Sequence, residues 1–312
     1  MLVKAIAAYI GIPPAIVEQL GRKAPLLYRR YSVKKKSGGQ RMIFHPAKET
    51  KTLQGAAVDL LDSPDLYHDC VRGYIRGLKS PLLSNANAHC KQQFLLRLDI
   101  SDFFPSIKPD DFTIVCGKRI KLNGEPLSKQ DLDFLSELFF VWNKTLGWFL
   151  GIGAPSSPFV SNWVMFDIDK KIMSLCEDSE VTYTRYADDL LFSANSKVTL
   201  LDVEKGITPI LESFLHPCLT LNTGKRYLGS KWSRRRVTGL TITPTGAVKV
   251  PRAMKRLIRS MLYKLQQGVL SIDDKSSLSG YLAFMNDCEP AYFNNLVLKY
   301  GSDTVRNALK KR

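Results

Sequence analysis

Residues 183–192 read Tyr183-Thr184-Arg185-Tyr186-Ala187-Asp188-Asp189-Leu190-Leu191-Phe192. β-Branched and aromatic residues flank a short acidic pair, so Val181 to Ala194 is predicted to form two strands around a tight turn. Adjacent carboxylates repel one another, and a protein without use for them gains little by fixing them between hydrophobic strands. An ordinary polar turn is one account of such a pair. A pair of divalent cations is the other, since it removes the repulsion and gives the carboxylates a task.

Working outward, Phe94 to Ile100 is a short, mostly apolar strand that runs into Asp99-Ile100-Ser101-Asp102-Phe103-Phe104-Pro105-Ser106. If this strand pairs beside the 181–194 hairpin, Asp99 comes to face Asp188. Hard oxygen ligands of this kind suit Mg²⁺, which keeps remaining positions open for phosphate. The expected cofactor is therefore a pair of Mg²⁺ ions, with Mn²⁺ as a substitute. Two such ions would lower the pKa of a primer hydroxyl, hold a triphosphate and stabilise the leaving pyrophosphate.

The flanks supply helices and further strands. Residues 2–11 and 14–21 read as two short helices divided by Pro13-Pro14, with Gly21 as a stop. Residues 28–45 alternate in the β manner around Lys36-Ser37-Gly38-Gly39, a basic hairpin, and residues 47–62 return to helical spacing. Ser128 and Asp131 form a capping-box start for a helix to about Trp148, and Ser157-Pro158 opens another to about Leu175. A strand is expected over Val237–Ile242. Pro251 then opens an amphipathic helix closed by Gly268, with Met254, Leu257, Ile258, Met261, Leu262 and Leu265 inward and Arg252, Lys255, Arg256 and Arg259 outward. Shorter helices follow near 276–286 and 290–300, with Gly301 as a stop. The sum is an α+β chain with helices packed on one face of an antiparallel sheet.

Charge narrows the function. The net charge is +16, and it is unevenly placed: neither Gly21–Gln40 nor Ser213–Ile272 contains a single Asp or Glu. Two basic regions around a more acidic middle suggest a cleft with positive walls and a carboxylate floor, the alternative being a merely soluble basic surface. Cys70, Cys90, Cys116, Cys176, Cys218 and Cys288 show no metal-ligand spacing and read as reduced, mostly buried thiols of a cytoplasmic protein. No stretch approaches the roughly 18 apolar residues a membrane span needs, so no membrane partner is expected.

Three ordered motifs then carry a resemblance. Tyr186-Ala187-Asp188-Asp189 is similar to the catalytic box of reverse transcriptases, Asp99-Ile100-Ser101-Asp102-Phe103-Phe104 to their other metal-binding motif, and Gly153-Ala154-Pro155-Ser156-Ser157-Pro158 to the template-contacting motif between them. Order and spacing match over roughly residues 28–245. Within the family, Asn85-Ala86-Asn87-Ala88-His89 and Val237-Thr238-Gly239 resemble elements of the bacterial retron branch, although Asn85 and His89 also suit plain loop-stabilising hydrogen bonds.

The resemblance implies a right-hand polymerase: an N-terminal helical segment (1–27), fingers (28–93 and 107–160), palm (94–106 and 161–240) and a small helical thumb (241–312). It implies Asp99, Ile100, Asp188 and Asp189 as the metal site. Lys225 matches the lysine thought to protonate pyrophosphate, though it equally suits a phosphate contact. Lys34, Lys35, Arg41, Asp102, Phe103, Phe104 and Ile152 fall in the nucleotide pocket. There Phe104 would reject a ribose 2′-hydroxyl, and Ile152 stands where the family usually has glutamine. Template, primer or RNA contacts would come from Asn85, His89, Gly153, Ala154, Pro155, Tyr186, Arg234, Arg235, Arg236, Val237, Thr238, Gly239, Arg252, Lys255, Arg256 and Arg259, with Trp232 or Tyr263 stacking on loop bases.

The expected partners are dNTPs, a cognate structured noncoding RNA and its cDNA product, and an effector or toxin protein of a phage-defence system. The last seventy or so residues hold no acidic constellation for RNase H, so host RNase H would remove template RNA. A reverse transcriptase of the intron-like or diversity-generating branch, or an RNA-binding scaffold for an effector, are the competing readings.

Overall fold

The computed structural model describes residues 1–34 and 38–309, so Lys35 of the expected triphosphate clamp lies outside the described residues. The decisive element is a four-stranded sheet in the order Tyr227–Ser230, Phe94–Asp99, Asp189–Ala194, Thr182–Tyr186. The strand Phe94–Asp99 thus lies beside Asp189–Ala194, and just beyond its end the Ile100 N–H donates to the Asp188 carbonyl at 3.0 Å. These two central strands are also where the chain passes between two units. One unit comprises Met1–Arg76, Arg97–Leu191 and Val198–Arg226; the other comprises Gly77–Leu96, Phe192–Lys197 and Tyr227–Arg312.

In the first unit, helices Leu2–Ile10 and Pro14–Lys23 pack on Lys48–Leu61. Gly21 does not stop its helix. It lies inside it, where a Cβ would fall 2.2 Å from the Phe134 ring, so glycine here allows helix Lys129–Phe139 to approach closely. The basic hairpin forms from Tyr28–Lys34 and Gln40–Pro46, antiparallel, with Val33 opposite Arg41. The helix expected to reach Trp148 ends at Phe139 instead. Phe140, Val141 and Trp142 prefer extended backbone, and Asn143 turns the chain by accepting from the Thr145 and Leu146 N–H groups. The resulting hairpin, Phe140–Asn143 with Gly147–Leu150, buries Val141 and Phe149 against Phe44 and Tyr28. The helix expected from Ser157 to Leu175 is likewise two, Ser157–Val164 and Phe166–Glu177, broken at Met165.

In the second unit, helix Pro81–Ala88 packs on a three-stranded antiparallel sheet, Arg235–Val237, Leu240–Ile242 and Val248–Lys249. Val237–Ile242 is therefore not one strand but a hairpin. Its two turn residues, Thr238 and Gly239, both have positive φ (46° and 85°), the backbone of a two-residue hairpin loop. Four helices follow: Arg252–Gln266, Ile272–Cys288, Pro290–Tyr300 and Ser302–Leu309. The one expected at 276–286 starts earlier because Ser271 caps it, accepting from the Asp274 N–H. On Arg252–Gln266 the buried stripe is Ile258, Met261 and Leu262, with Met254 and Leu265 half-buried. Leu257 is exposed, since it sits one residue, about 100° of helix, off that stripe. Among the described residues no single helix is long and apolar enough to cross a membrane.

Candidate active site

The turn between Thr182–Tyr186 and Asp189–Ala194 is made by Ala187, in the left-handed region at φ 55°, and Asp188. Both acids of the pair are poorly solvated. Burial, then the nearby charge of Asp99, raises the Asp188 carboxyl above the usual range. Burial, then Asp188, pushes Asp189 up to about 6, with Arg97 opposing the rise. Asp99 is buried at the end of its strand, and its two carboxylate oxygens accept from Lys225 Nζ at 2.7 and 2.8 Å. Asp99, Asp188, Asp189 and Lys225 therefore share one electrostatic site, with the Arg41 cation within its reach.

Among the described residues no three His, Cys, Asp or Glu side chains already surround a common metal position. The ammonium of Lys225 occupies the oxygens of Asp99. The donor set nevertheless fits divalent cations: three crowded carboxylates, two of them raised in pKa by burial first and by their neighbours' charge second, are what a hard cation relieves. Ile100 could contribute only its carbonyl oxygen, because its side chain is apolar and buried.

Beneath the turn lies a buried ionic floor that composition did not reveal. Arg185 and Asp169 are both 0% exposed. Asp169 accepts from Arg185 Nε (2.8 and 3.0 Å), Arg185 Nη2 (2.6 Å) and the Tyr183 hydroxyl (2.9 Å). Arg185 Nη1 donates in addition to Asn162 Oδ1 at 2.9 Å and to the Ala187 carbonyl at 3.2 Å. Burial disfavours the charge on Arg185, but the Asp169 carboxylate more than offsets this and holds its pKa above the usual value. The strained turn is thus gripped from inside by a guanidinium. An arginine directly before the acidic box, in a strand of otherwise uncharged residues, was the signal for it.

The rim is set by close backbone packing. The Phe44 N–H donates to the Ile152 carbonyl at 2.8 Å. At Gly153 (φ 112°) a Cβ would fall 2.8 Å from Ile43, so only glycine lets this stretch lie against strand Gln40–Pro46. Ala154 is buried, while Gly153 and Pro155 are exposed. Phe103 is buried and Phe104 half-buried, their ring centroids 5.3 Å apart, and Asp102 is exposed with φ 41°. Lys34 and Arg41 are exposed on the hairpin, and Tyr186 is half-buried.

Several expected RNA contacts are architectural instead. Asn85 and His89 are fully buried, and His89 Nδ1 shares a hydrogen bond with Ser193 Oγ at 2.7 Å. Arg235 is 1% exposed and donates to the carbonyls of Gln92 and Thr243, because its strand neighbours Arg234 and Arg236 take the outward face. Val237 is buried, and Thr238 donates to the Leu82 carbonyl at 2.9 Å, leaving Gly239 exposed. Lys255 is not turned outward: it pairs with buried Glu289 at 2.7 Å and lies over the Tyr292 ring. Arg252, Arg256, Arg259 and Tyr263 remain as one exposed stripe at helical spacing, and Trp232 is exposed as well.

The profile of the family described as reverse transcriptase (RNA-dependent DNA polymerase) matches residues 33–242. Retron Ec83 reverse transcriptase of Escherichia coli is 33% identical over 287 residues, covering 91% of this chain and 90% of the relative. Retron Ec73 reverse transcriptase of Escherichia coli is 30% identical over 290 residues, covering 89% and 88%. Among solved structures, telomerase from Candida albicans, in complex with a fragment of telomeric RNA, superposes with a TM-score of 0.50 at 10% identity. That likeness, of fold alone, covers 94% of this chain and 62% of the telomerase chain. With a family match across more than half its length, relatives at this identity and an acidic hairpin in the expected setting, the chain belongs to the reverse transcriptase family, with retron reverse transcriptases as its kin, and is an RNA-directed DNA polymerase.

Proposed function

We propose that this chain copies one structured noncoding RNA into DNA, starting from an internal 2′-hydroxyl of that RNA to give a branched RNA–DNA molecule. The observation that carries the reading is the meeting of Asp99, Asp188 and Asp189 with Lys225 at one hairpin. The names of the retron relatives support the choice of branch.

Asp99, Asp188 and Asp189 would hold two Mg²⁺ ions, which when bound supply Lewis-acid stabilisation of the attacking and leaving oxygens. The protein's own groups do the rest. Lys225, whose Nζ donates to Asp99, would give a proton to pyrophosphate or else contact a phosphate. Arg41 grips triphosphate oxygens through its planar fork, and Phe104 bars the ribose 2′-hydroxyl. Residues 28–93 and 107–160 act as fingers, 94–106 and 161–240 as palm, and 241–312 as thumb. The stripe Arg252, Arg256 and Arg259, with Arg234 and Arg236, holds RNA phosphates, and Tyr263 or Trp232 stacks on splayed bases. An effector protein of a cytoplasmic phage-defence system and host RNase H complete the pathway.

Sequencing the nucleic acid that co-purifies with the chain tests this directly. One RNA joined to DNA through a 2′–5′ branch is expected, and a heterogeneous pool without branches would refute it. Asp188→Asn or Asp99→Asn should bind the same RNA and make no DNA, since loss of a metal-holding group commonly costs roughly 10²-fold or more in rate. Near-normal incorporation by either variant would remove these carboxylates from the role.

A further inference from the structure

No side chain of the segment Cys70–Arg76 has been given a role in the activity so far, yet the segment is fastened to the catalytic hairpin. The Arg185 N–H donates to the Cys70 carbonyl at 2.9 Å, and the Arg72 N–H donates back to the Arg185 carbonyl at 2.8 Å, so Val71 bridges Arg185 in parallel register. Asn162, itself held by Arg185, donates from Nδ2 to the Gly73 carbonyl at 2.9 Å. Gly73 lies flat under Tyr186, where a Cβ would come within 3.2 Å of the ring.

Tyr74 is what this fastening presents. Its φ of 60° is a conformation that a bulky side chain adopts only at a cost, one that glycine or asparagine would largely avoid. The strain is not repaid by burial, because Tyr74 remains 42% exposed. Its ring centroid is 5.7 Å from that of Tyr186. Its hydroxyl feels burial first and then the Asp188 carboxylate, both raising its pKa, with the Arg41 guanidinium acting against them. The ring therefore stands half-open to solvent, beside the acidic turn and within the field of the cation expected to grip the triphosphate. Aromatic rings so placed stack on bases, and they do so with little sequence preference because every base offers a π-face.

We propose that Tyr74 is a positioning residue for polymerisation: a pre-set aromatic platform on which a nucleobase of the pair being formed comes to rest. The inference rests on the polymerase activity of the chain and adds to it a substrate contact outside the three motifs. The base belongs either to the template strand or to the incoming dNTP; the chemistry of the contact is the same.

Steady-state incorporation of one dNTP by the full chain, on a generic RNA template with an annealed DNA primer, tests it. Tyr74→Gly removes the ring while easing the backbone, so its thermal midpoint should equal or exceed the parent's. The KM for dNTP should rise on the order of 10-fold with kcat nearly unchanged, the effect of losing one base–aromatic stack. Tyr74→Phe should restore the parent KM. Repeating the comparison on a template with an abasic site opposite the incoming nucleotide separates the two sources. A difference that vanishes places the template base on Tyr74, one that persists places the incoming base there, and both outcomes uphold the platform. An unchanged KM in Tyr74→Gly, a Tyr74→Phe as impaired as Tyr74→Gly, or a Tyr74→Gly whose activity falls together with its thermal midpoint would each overturn it. A parent chain that incorporates nothing would overturn the polymerase reading and this inference with it, a result distinct from equal activity in parent and variant.

Discussion

Replacing Asp169 by asparagine removes one negative charge, and almost no volume, from the floor of the catalytic hairpin. In the parent, its two oxygens accept three hydrogen bonds from Arg185 and one from the Tyr183 hydroxyl, with the Cys70 thiol also bonded to it. Asparagine offers one oxygen and an NH₂ group, so at least one guanidinium N–H must face another donor. The Arg185 charge also loses the Asp169 carboxylate, its counter-ion at 0% exposure. Breaking a fully buried pair from one side costs about 3–5 kcal/mol. Arg185 keeps Asn162 and the Ala187 carbonyl as acceptors, so about 3 kcal/mol is the reasoned figure. For a unit of this size that lowers the thermal midpoint by on the order of 5–10 °C. The assay is paired: thermal or urea unfolding, and single-nucleotide incorporation below the midpoint. Incorporation should fall as well, because the carbonyl of the catalytic turn is held by the same guanidinium. The double variant Asp169→Leu with Arg185→Met should recover much of the lost stability, since a buried pair contributes little net stability over apolar side chains of similar size. It should not recover activity, as the guanidinium that held the Ala187 carbonyl is gone. A loss below about 1 kcal/mol in Asp169→Asn, or a double variant less stable than the single one, would refute the reasoning.

Asp189→Asn should stabilise the metal-free protein above pH 6. The carboxyl titrates near 4 when unfolded and near 6 when folded, so the folded state binds more protons between those values and stability falls as pH rises through that window. The gain, on the order of 3 kcal/mol, should vanish below pH 4, and urea titrations at the two pH values measure it. Phe104→Ala should let ribonucleotides compete with deoxyribonucleotides in incorporation assays, because the half-buried ring no longer blocks the 2′-hydroxyl; unchanged discrimination would leave Phe104 a packing residue. Reversing Arg252, Arg256 and Arg259 to Glu, with Lys255 left in its pair with Glu289, should eliminate synthesis on the cognate RNA more than extension of a preannealed DNA primer. Equal losses in the two assays would assign these arginines to general duplex grip.

The acidic hairpin, its partner strand and the basic hairpin were legible because each depends on local pattern: period-2 alternation, an apolar strand ending in Asp99, glycines at a turn. The helix expected to run from Ser128 to Trp148 failed where a good start signal met a run of Phe140, Val141 and Trp142, whose preference for sheet won. Gly21 shows the limit of reading punctuation, since its role depends on Phe134, a neighbour more than a hundred residues away. Charge misled in the same manner. Arg235, Lys255 and Arg185 look alike in sequence to cations that meet phosphate, yet one serves carbonyls and two serve buried acids. Tyr74 carried no motif at all, and only its backbone angle and its neighbours mark it.

Both units are stitched from three separate stretches of chain, and this has a consequence for how the protein is made. Gly77–Leu96 leaves the ribosome about 130 residues before Tyr227, where the strands that its helix packs on begin to follow. At roughly 5–20 residues per second, that segment waits on the order of ten seconds for the Thr238 that caps the Leu82 carbonyl and the Arg235 that caps Gln92. Ala86, Asn85 and His89, all destined for the interior, are uncovered meanwhile. Nascent chains arrested before residue 227 should therefore be cut by protease between 77 and 96. No single scission point yields either unit intact, so a laboratory wishing to study the C-terminal unit in isolation must graft residues 77–96 and 192–197 onto it.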